Sequence, residues 1–148
     1  MLTELDFRVE RSGLTPQRAN PTDAGLDLRS KKTVVLARGN RVLVGTGVQV
    51  RIPKGYVGFL LPRSSLSKKH VVMLNSVGVI DSDYRGEILA CLSYTGTNDW
   101  IQLDQDERIV QLVVVPIALP EVTVRYQDDE QWNDTARGTG GFGSTGKL

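Results

Sequence analysis

The order of apolar and polar residues along the chain predicts short β-strands separated by turns. Across residues 42–52 every even position holds Val, Ile or Thr, and the odd positions hold mostly Arg, Gly and Gln. This period-two alternation is typical of one strand with a single buried face. Residues 53–55, Pro-Lys-Gly, predict the turn that ends it. Residues 56–61 predict the next strand, which stops at Pro62.

Later segments continue the pattern. Residues 71–74 and 77–80 are apolar runs on either side of Asn75-Ser76, an arrangement that suits a hairpin. Alternation returns at residues 88–94, where Ile, Ala, Leu and Tyr take every second position. Residues 95–99 are polar and predict a loop.

Residues 109–117 differ from the other predicted strands because, apart from Gln111 and Pro116, they are continuously apolar. A strand of this kind is covered on both faces. In a small sandwich one face meets the core, so the strand is either central to the core or meets another subunit with its second face. The sequence leaves both interpretations open.

The whole pattern predicts one all-β domain, a sandwich or barrel, followed by a tail. Helical spacing is weak throughout, and Val122, Val124 and Tyr126 give a last alternation. Residues 137–146 are rich in glycine and lack the apolar area to fold alone. We therefore predict a β core at residues 1–126 and an arm at residues 127–148 that is mobile until something orders it.

Composition and charge narrow the class of protein. The 148 residues fit one domain, and 40% hydrophobic and 24% charged residues are ordinary for a globular chain. The net charge of +1 gives no overall positive field for non-specific binding of nucleic acid, although a local basic patch stays open. No apolar run is long enough for a bilayer and no secretory leader is visible, so we predict a cytoplasmic protein.

Cysteine and histidine are scarce, which excludes several kinds of site. Cys91 is the one cysteine and His70 the one histidine. A single cysteine cannot form an intrachain disulfide or a cysteine cluster for zinc, and a single histidine cannot build a multi-histidine metal centre. We interpret His70 as a surface or turn residue and predict no hydrolase triad around it.

The glycine-rich tail is the first candidate for chemistry. Backbone N–H groups of glycines can converge on an anion, and Ser144 and Thr145 add hydroxyl donors. Arg137 adds a guanidinium suited to phosphate, and Phe142 could cover a ring. A flexible tail without function is the alternative that composition alone favours.

Three further segments carry polar side chains near predicted strand ends. Residues 63–65, Arg-Ser-Ser, could bind phosphate or form a polar turn. Asp81 and Asp83 follow an apolar run; either could orient and deprotonate a water, or both could be turn residues. Asp23 and Asp27 could hold a divalent ion through water, although capping a turn is the favoured interpretation.

Taken in order, five segments resemble the motifs of the trimeric dUTP pyrophosphatases, the dUTPases. They read AGLDLRS (24–30), PRSSLSKK (62–69), GVIDSDYRGEI (78–88), RIVQLVVVP (108–116) and RGTGGFGSTG (137–146). Five motifs in this order are highly specific, and they span nearly the whole chain. Leu26 stands where many members have Tyr, and Ser65 where many have Gly.

The resemblance implies a β jelly-roll subunit, a homotrimer with active sites at subunit junctions, and hydrolysis of dUTP to dUMP and pyrophosphate with Mg²⁺. Such an enzyme removes dUTP and supplies dUMP for thymidylate synthesis. The resemblance implies that Asp81 deprotonates the water that attacks the α-phosphorus, and that Asp27 supports the magnesium waters. Tyr84 packs against the deoxyribose and leaves no room for a 2′-hydroxyl.

The other implied substrate-binding residues fall into three sets. Uracil is read at Asn75, Val79, Ile80 and Leu89. The phosphates meet Arg63, Ser64, Ser65 and Gln111, with Arg108 as a structural or phosphate-linked arginine. The closing arm brings Arg137, Gly143, Ser144 and Thr145 to the γ-phosphate and stacks Phe142 on the base.

Two other interpretations stay open. A dCTP deaminase shares the fold, but DSDYRG (81–86) and FGST (142–145) favour a dUTPase. A non-catalytic interaction protein on the same scaffold is the second, and Asp81 and Arg137 argue against it. The predicted partners are dUTP and further copies of this chain, with no nucleic acid and no membrane.

Overall fold

The computed structural model describes residue 2, residues 4–126, residue 132 and residues 135–136. Within them lie eleven strands, one short α-helix and a 3-10 helix at Ser12–Leu14. The strands are β1 (Asp6–Val9), β2 (Leu26–Arg29), β3 (Val34–Ala37), β4 (Arg41–Gly45), β5 (Val48–Arg51), β6 (Tyr56–Pro62), β7 (Val71–Met73), β8 (Gly78–Ile80), β9 (Leu89–Tyr94), β10 (Trp100–Leu103) and β11 (Arg108–Pro116). The α-helix, α1, is Ser64–Lys68. None of the helices in this part of the chain has the length and apolar run that crossing a bilayer requires.

The strands form antiparallel sheets around a shared core, so the predicted all-β class is confirmed. The largest sheet has the order β2-β11-β6-β8, and the next has the order β4-β9-β7. Two strand pairs, β1 with β5 and β3 with β10, complete the set. One hydrophobic cluster joins side chains from both larger sheets, among them Leu28, Leu60 and Leu92, each at most 1% exposed.

β11 is one of the two inner strands of the larger sheet. It pairs with β2 on one side and with β6 on the other, and Ile109, Val110 and Leu112 are fully buried. Val113, Val114 and Val115 are half-buried. The interpretation of a core strand is confirmed, while contact with another subunit stays a prediction.

Residues 42–52 do not form the single strand that their alternation predicts. β4 ends at Gly45 and β5 begins at Val48, and Gly47 between them has a left-handed φ of 66°. The pairing changes at this break, because β4 pairs with β9 and β5 pairs with β1. Val48 and Val50 are nonetheless buried, so the predicted buried face is confirmed and the single strand was wrong.

The two apolar runs around Asn75-Ser76 are strands, but they do not pair with each other as a hairpin. β7 pairs with β9 and β8 pairs with β6, so the chain passes from one sheet to the other between them. Ser76 makes the turn with a φ of 56°, and its N–H donates to the Met73 carbonyl.

The alternation at residues 122–126 also forms no strand. Val122, Val124 and Tyr126 are exposed, at 89%, 66% and 80%. An extended segment becomes a strand only with a backbone partner. The chain divides into two units, Met1–Ala118 and Leu119–Leu148; a boundary at residue 127 between core and arm stays a prediction.

Candidate active site

Asp27 lies buried on β2 between two arginines. Its side chain is 9% exposed; Arg63 Nε forms an ion pair with Oδ1 at 2.7 Å, and Arg108 Nη1 donates a hydrogen bond to Oδ2 at 3.2 Å. Arg63 Nη1 also donates to the Arg108 carbonyl at 3.3 Å. Because two guanidinium groups share one carboxylate, the three side chains together carry a net positive charge at a fixed position.

The strand order explains how these three residues meet. β2, β11 and β6 are neighbours, Arg108 begins β11, and Arg63 follows the last residue of β6. Gln111 pairs with Asp27 across the sheet, and its Nε2 donates to the Pro62 carbonyl at 3.2 Å. Three of the motifs therefore meet at one edge of one sheet.

Ser64 and Ser65 begin α1, which follows Arg63 directly. The sequence left this segment as a turn or a phosphate site, and the structure gives it five helical residues. Lys69, just beyond α1, forms an ion pair with Glu107, next to Arg108. This ion pair fixes the end of the helix against the start of β11.

A cavity of about 230 Å³ collects the second group of predicted residues. Its lining includes six of them: Asn75, Val79, Ile80, Asp81, Tyr84 and Leu89. β8 supplies Val79 and Ile80, and β9 begins at Leu89, so strand ends surround the cavity. Residues from the predicted uracil, sugar and water sites thus line one cavity.

Asp81 comes directly after β8 and is exposed. Its carbonyl accepts a hydrogen bond from the Tyr84 N–H at 3.2 Å. Within the described part of the chain its carboxylate has no hydrogen bond or ion pair. The side chain is therefore free to accept a hydrogen bond from water, as a general base must.

The Tyr84 side chain is held close to the backbone that follows it. Its hydroxyl donates to the Glu87 carbonyl at 2.9 Å. A Cβ on Gly86 would come within 2.5 Å of the ring carbon Cζ, so the ring rests on a residue without a side chain. Gly86 is a site residue that the sequence reasoning missed, although it stands inside one of the motifs.

Glu87 and Lys31 form a second charged group, which the sequence reasoning also missed. Glu87 Oε2 accepts from Lys31 Nζ at 2.9 Å, and Oε1 accepts from the Gly47 N–H at 2.7 Å. Burial raises the pKa of Glu87, but these two hydrogen bonds outweigh it and leave the pKa below its ordinary value. The hydrogen bond to Glu87 raises the pKa of Lys31 above its ordinary value.

His70 is a turn residue, as predicted. It is exposed with a φ of 53°, its N–H donates to the Ser67 carbonyl, and its own carbonyl accepts from Thr95. The predicted arm residues lie outside the described residues: Arg137, Phe142, Gly143, Ser144 and Thr145.

Comparison with known proteins identifies the family. A family model described as dUTPase matches residues 12–146. A deoxyuridine 5'-triphosphate nucleotidohydrolase of Cutibacterium acnes is 47% identical over 132 residues, covering 88% of this chain and 84% of that relative. The protein of the same description from Corynebacterium jeikeium is 44% identical over 140 residues, covering 94% and 90%.

Solved structures agree with the sequence matches. The Staphylococcus bacteriophage 80alpha dUTPase with dUPNHPP has a TM-score of 0.86 at 30% identity, covering 99% of this chain and 100% of that one. The dUTPase from Streptococcus mutans has a TM-score of 0.74 at 34% identity, covering 81% and 100%. These likenesses confirm the predicted jelly-roll, and the chain belongs to the dUTPase family.

Proposed function

We propose that Asp81 orients and deprotonates the water that hydrolyses dUTP, at a site assembled from more than one copy of the chain. As a dUTPase, the chain hydrolyses dUTP to dUMP and pyrophosphate. The observation that carries the assignment of Asp81 is its place in the cavity that also holds Asn75 and Tyr84. One cavity then presents the base-reading, sugar-packing and water-activating groups to a single nucleotide.

The edge around Asp27 binds the triphosphate. A triphosphate is a dense anion, and Arg63 and Arg108 offer guanidinium donors whose positions Asp27 already fixes. Ser64, Ser65 and Gln111 add neutral donors at the same edge. Because these groups are placed before substrate arrives, little reorganisation is needed when charge moves to the leaving pyrophosphate.

Base and sugar selection belong to the cavity. Asn75 and the backbone at Val79 and Ile80 read the edge of uracil, and Leu89 closes the same pocket. Fixed donors and acceptors reject cytosine because the wrong partner leaves buried groups unpaired. The Tyr84 ring occupies the space that a 2′-hydroxyl would need.

Magnesium fits the donors that the chain offers. The described residues contain no group of three or more His, Cys, Asp or Glu side chains that could hold a metal. Mg²⁺ is commonly carried by substrate phosphates and water with one or two carboxylates, so such a group is not required. Asp27 would support the metal-bound waters through its remaining lone pairs, and the metal would neutralise phosphate charge. The dUTPase from phage phi11 of S. aureus is described with a structural Mg(II) ion.

The site is completed by other copies of the chain. In one copy the predicted residues fall into two groups, one around Asp27 and one around Asp81. Val122, Val124 and Tyr126 expose apolar side chains in alternation, as a strand awaiting a partner does. We place the homotrimer junction there and along β11, and the arm at residues 127–148 closes over a neighbour's site with Arg137, Phe142, Gly143, Ser144 and Thr145.

Pyrophosphate release from dUTP, UTP, dTTP and dCTP with Mg²⁺ tests this proposal. Of these four nucleotides, the natural chain should cleave only dUTP. Tyr84→Ala should also hydrolyse UTP, and it should still reject dTTP and dCTP. Trp100→Ala is the control. It removes a different exposed aromatic side chain, on β10, and this variant should still exclude UTP. Continued exclusion of UTP by Tyr84→Ala would remove Tyr84 from sugar selection.

A further inference from the structure

The segment between Asp81 and Glu87 carries the proposed base and the proposed sugar-packing ring. Its first end is fixed by β8, which pairs with β6. Its second end meets the break between β4 and β5, where the Ile88 N–H donates to the Val48 carbonyl at 2.8 Å. Between the two ends the segment has no strand partners of its own.

The β4–β5 break is shaped to receive the Glu87 side chain. A Cβ on Gly45 would lie 2.5 Å from Glu87 Oε1 and 2.8 Å from Lys31 Cε, so a side chain there would displace the ion pair. Gly47 takes its left-handed φ and turns its N–H to Glu87 Oε1. The Lys31 N–H donates to the Gly45 carbonyl, which holds the lysine backbone at the same break.

The Glu87 backbone connects this charged group to Tyr84. The carbonyl of Glu87 accepts the Tyr84 hydroxyl, and the side chain of Glu87 is held by Lys31 and Gly47. Gln49, on β5, donates to the Arg85 carbonyl at 2.7 Å and supports the same segment. A shift of Glu87 therefore moves the acceptor that sets the position of the phenol.

We propose that Glu87, through its ion pair with Lys31 on the Gly45–Gly47 break, is a positioning residue that sets the ring of Tyr84 and so the exclusion of ribonucleotides. The inference rests on the proposed role of Tyr84. Glu87 also lines the cavity, and its proposed effect on substrate selection passes through the position of the Tyr84 ring. Loss of the Glu87 side chain should leave the base-reading and phosphate-binding residues in place. It should loosen the contact between the Tyr84 ring and the sugar.

The test compares the ratio of kcat/KM for dUTP to that for UTP. Glu87→Ala should lower this ratio about tenfold, because misplacement of a packing group by a fraction of an ångström is enough to admit a hydroxyl. Glu87→Gln keeps an acceptor for the Gly47 N–H and should restore part of the ratio. Tyr84→Phe keeps the ring but loses the hydrogen bond to the Glu87 carbonyl, and it should lower the ratio similarly.

Arg11→Gln is the matched control. It removes the ion pair of Arg11 with Asp106, whose exposure of 38% and 44% resembles the 30% and 30% of Lys31 and Glu87. This variant should leave the ratio unchanged. If Glu87→Ala does not fold, Tyr84→Phe and Glu87→Gln, which change the side chains less, still test whether Glu87 sets this ratio.

The outcomes separate the inference from the proposed function. An unchanged ratio in Glu87→Ala, or in both milder variants if it does not fold, overturns the inference, even if kcat/KM falls equally for both nucleotides. A lowered ratio in Tyr84→Phe with an unchanged ratio in Glu87→Ala overturns it too. Failure of the natural chain to cleave dUTP, or failure of Tyr84→Ala to admit UTP, contradicts the proposed function instead.

Discussion

Two aspartates in this chain show how one fold prepares carboxylates for different tasks. Asp27 is buried, and each of its carboxylate oxygens forms an ion pair with an arginine. Asp81 is exposed, and in the described part of the chain no side chain or backbone group pairs with its carboxylate. The Asp27 carboxylate holds two guanidinium groups in place, while the Asp81 carboxylate is available to bind water.

The two aspartates also differ in how much of their surroundings one copy of the chain supplies. The edge around Asp27 is assembled within one chain, because β2, β11 and the segment that follows β6 lie side by side. The cavity around Asp81 is lined by β8, the start of β9 and residues between them, and we propose that the arm of another copy completes it. Because one aspartate is paired with arginines and the other is exposed, we expect changes at the two aspartates to have different consequences.

Asp81→Asn should have the largest effect. It removes the base and keeps the shape, so kcat should fall about 10³-fold or more, while the thermal unfolding and the binding of a non-hydrolysable dUTP analogue stay close to those of the natural chain. Single-turnover kinetics and calorimetry measure both. Asp83→Asn is the control two residues away, and near-normal turnover in Asp81→Asn would assign the base elsewhere.

Deletion of residues 137–148 should come next. The core should still fold and assemble, but kcat/KM should fall about 10²-fold, since the arm contributes donors and excludes water from the closed site. Pyrophosphate release and sedimentation give activity and assembly. Deleting only residues 147–148 is the control, because it spares the five predicted arm residues and should retain activity. Full activity in the longer deletion would contradict the proposed role of the arm in catalysis.

Asp27→Asn should mainly cost stability and phosphate affinity. Removing the carboxylate leaves two guanidinium groups unneutralised, and the free energy of unfolding should drop by about 2 kcal/mol, less than for a fully buried pair because Arg108 is 42% exposed. Urea unfolding measures this, and KM for dUTP should rise. Asp99→Asn breaks an exposed pair with Arg38 and should change stability little; equal effects of the two would show that Asp27 is an ordinary surface partner.

The smallest effect concerns pH and the Glu87–Lys31 pair. Because the folded pKa of Glu87 lies below its ordinary value of 4.5, its contribution to stability is present above pH 4.5 and is lost as pH falls through the folded pKa. Glu87→Gln should therefore flatten the acid limb of the stability curve by up to about 1 kcal/mol. Arg51→Gln, whose partner Asp6 is 66% exposed, serves as control. If Glu87→Gln leaves the acid limb of the stability curve unchanged, the Glu87–Lys31 ion pair does not contribute to stability as expected.

The sequence predicted the strands whose side chains alternate because one face is buried, as at residues 88–94. It could not locate the break at Gly47, because buried residues keep the same parity on both sides of it, Val44 before and Val48 after. It missed α1 because five residues are too few for a helical period to appear.

For the site, motif resemblance predicted which residues to examine but not their contacts. Asp27 and Arg108 are 81 residues apart, and their ion pair follows from strand order, which no local pattern encodes. Glu87 carries a signal only in retrospect. It is a charged residue just before the alternating segment 88–94, and Gly45 and Gly47 interrupt the odd positions of residues 42–52.

Mixed trimers test most directly whether one copy supplies Asp81 and another supplies the arm. Asp81→Asn subunits and subunits lacking residues 137–148 are each expected to be nearly inactive alone. If they are unfolded and reassembled at equal ratio, about a quarter of the sites should combine an intact Asp81 with an intact arm, and pyrophosphate release should recover to about that fraction. A mixture that forms trimers but stays as inactive as its components would contradict a site shared between subunits.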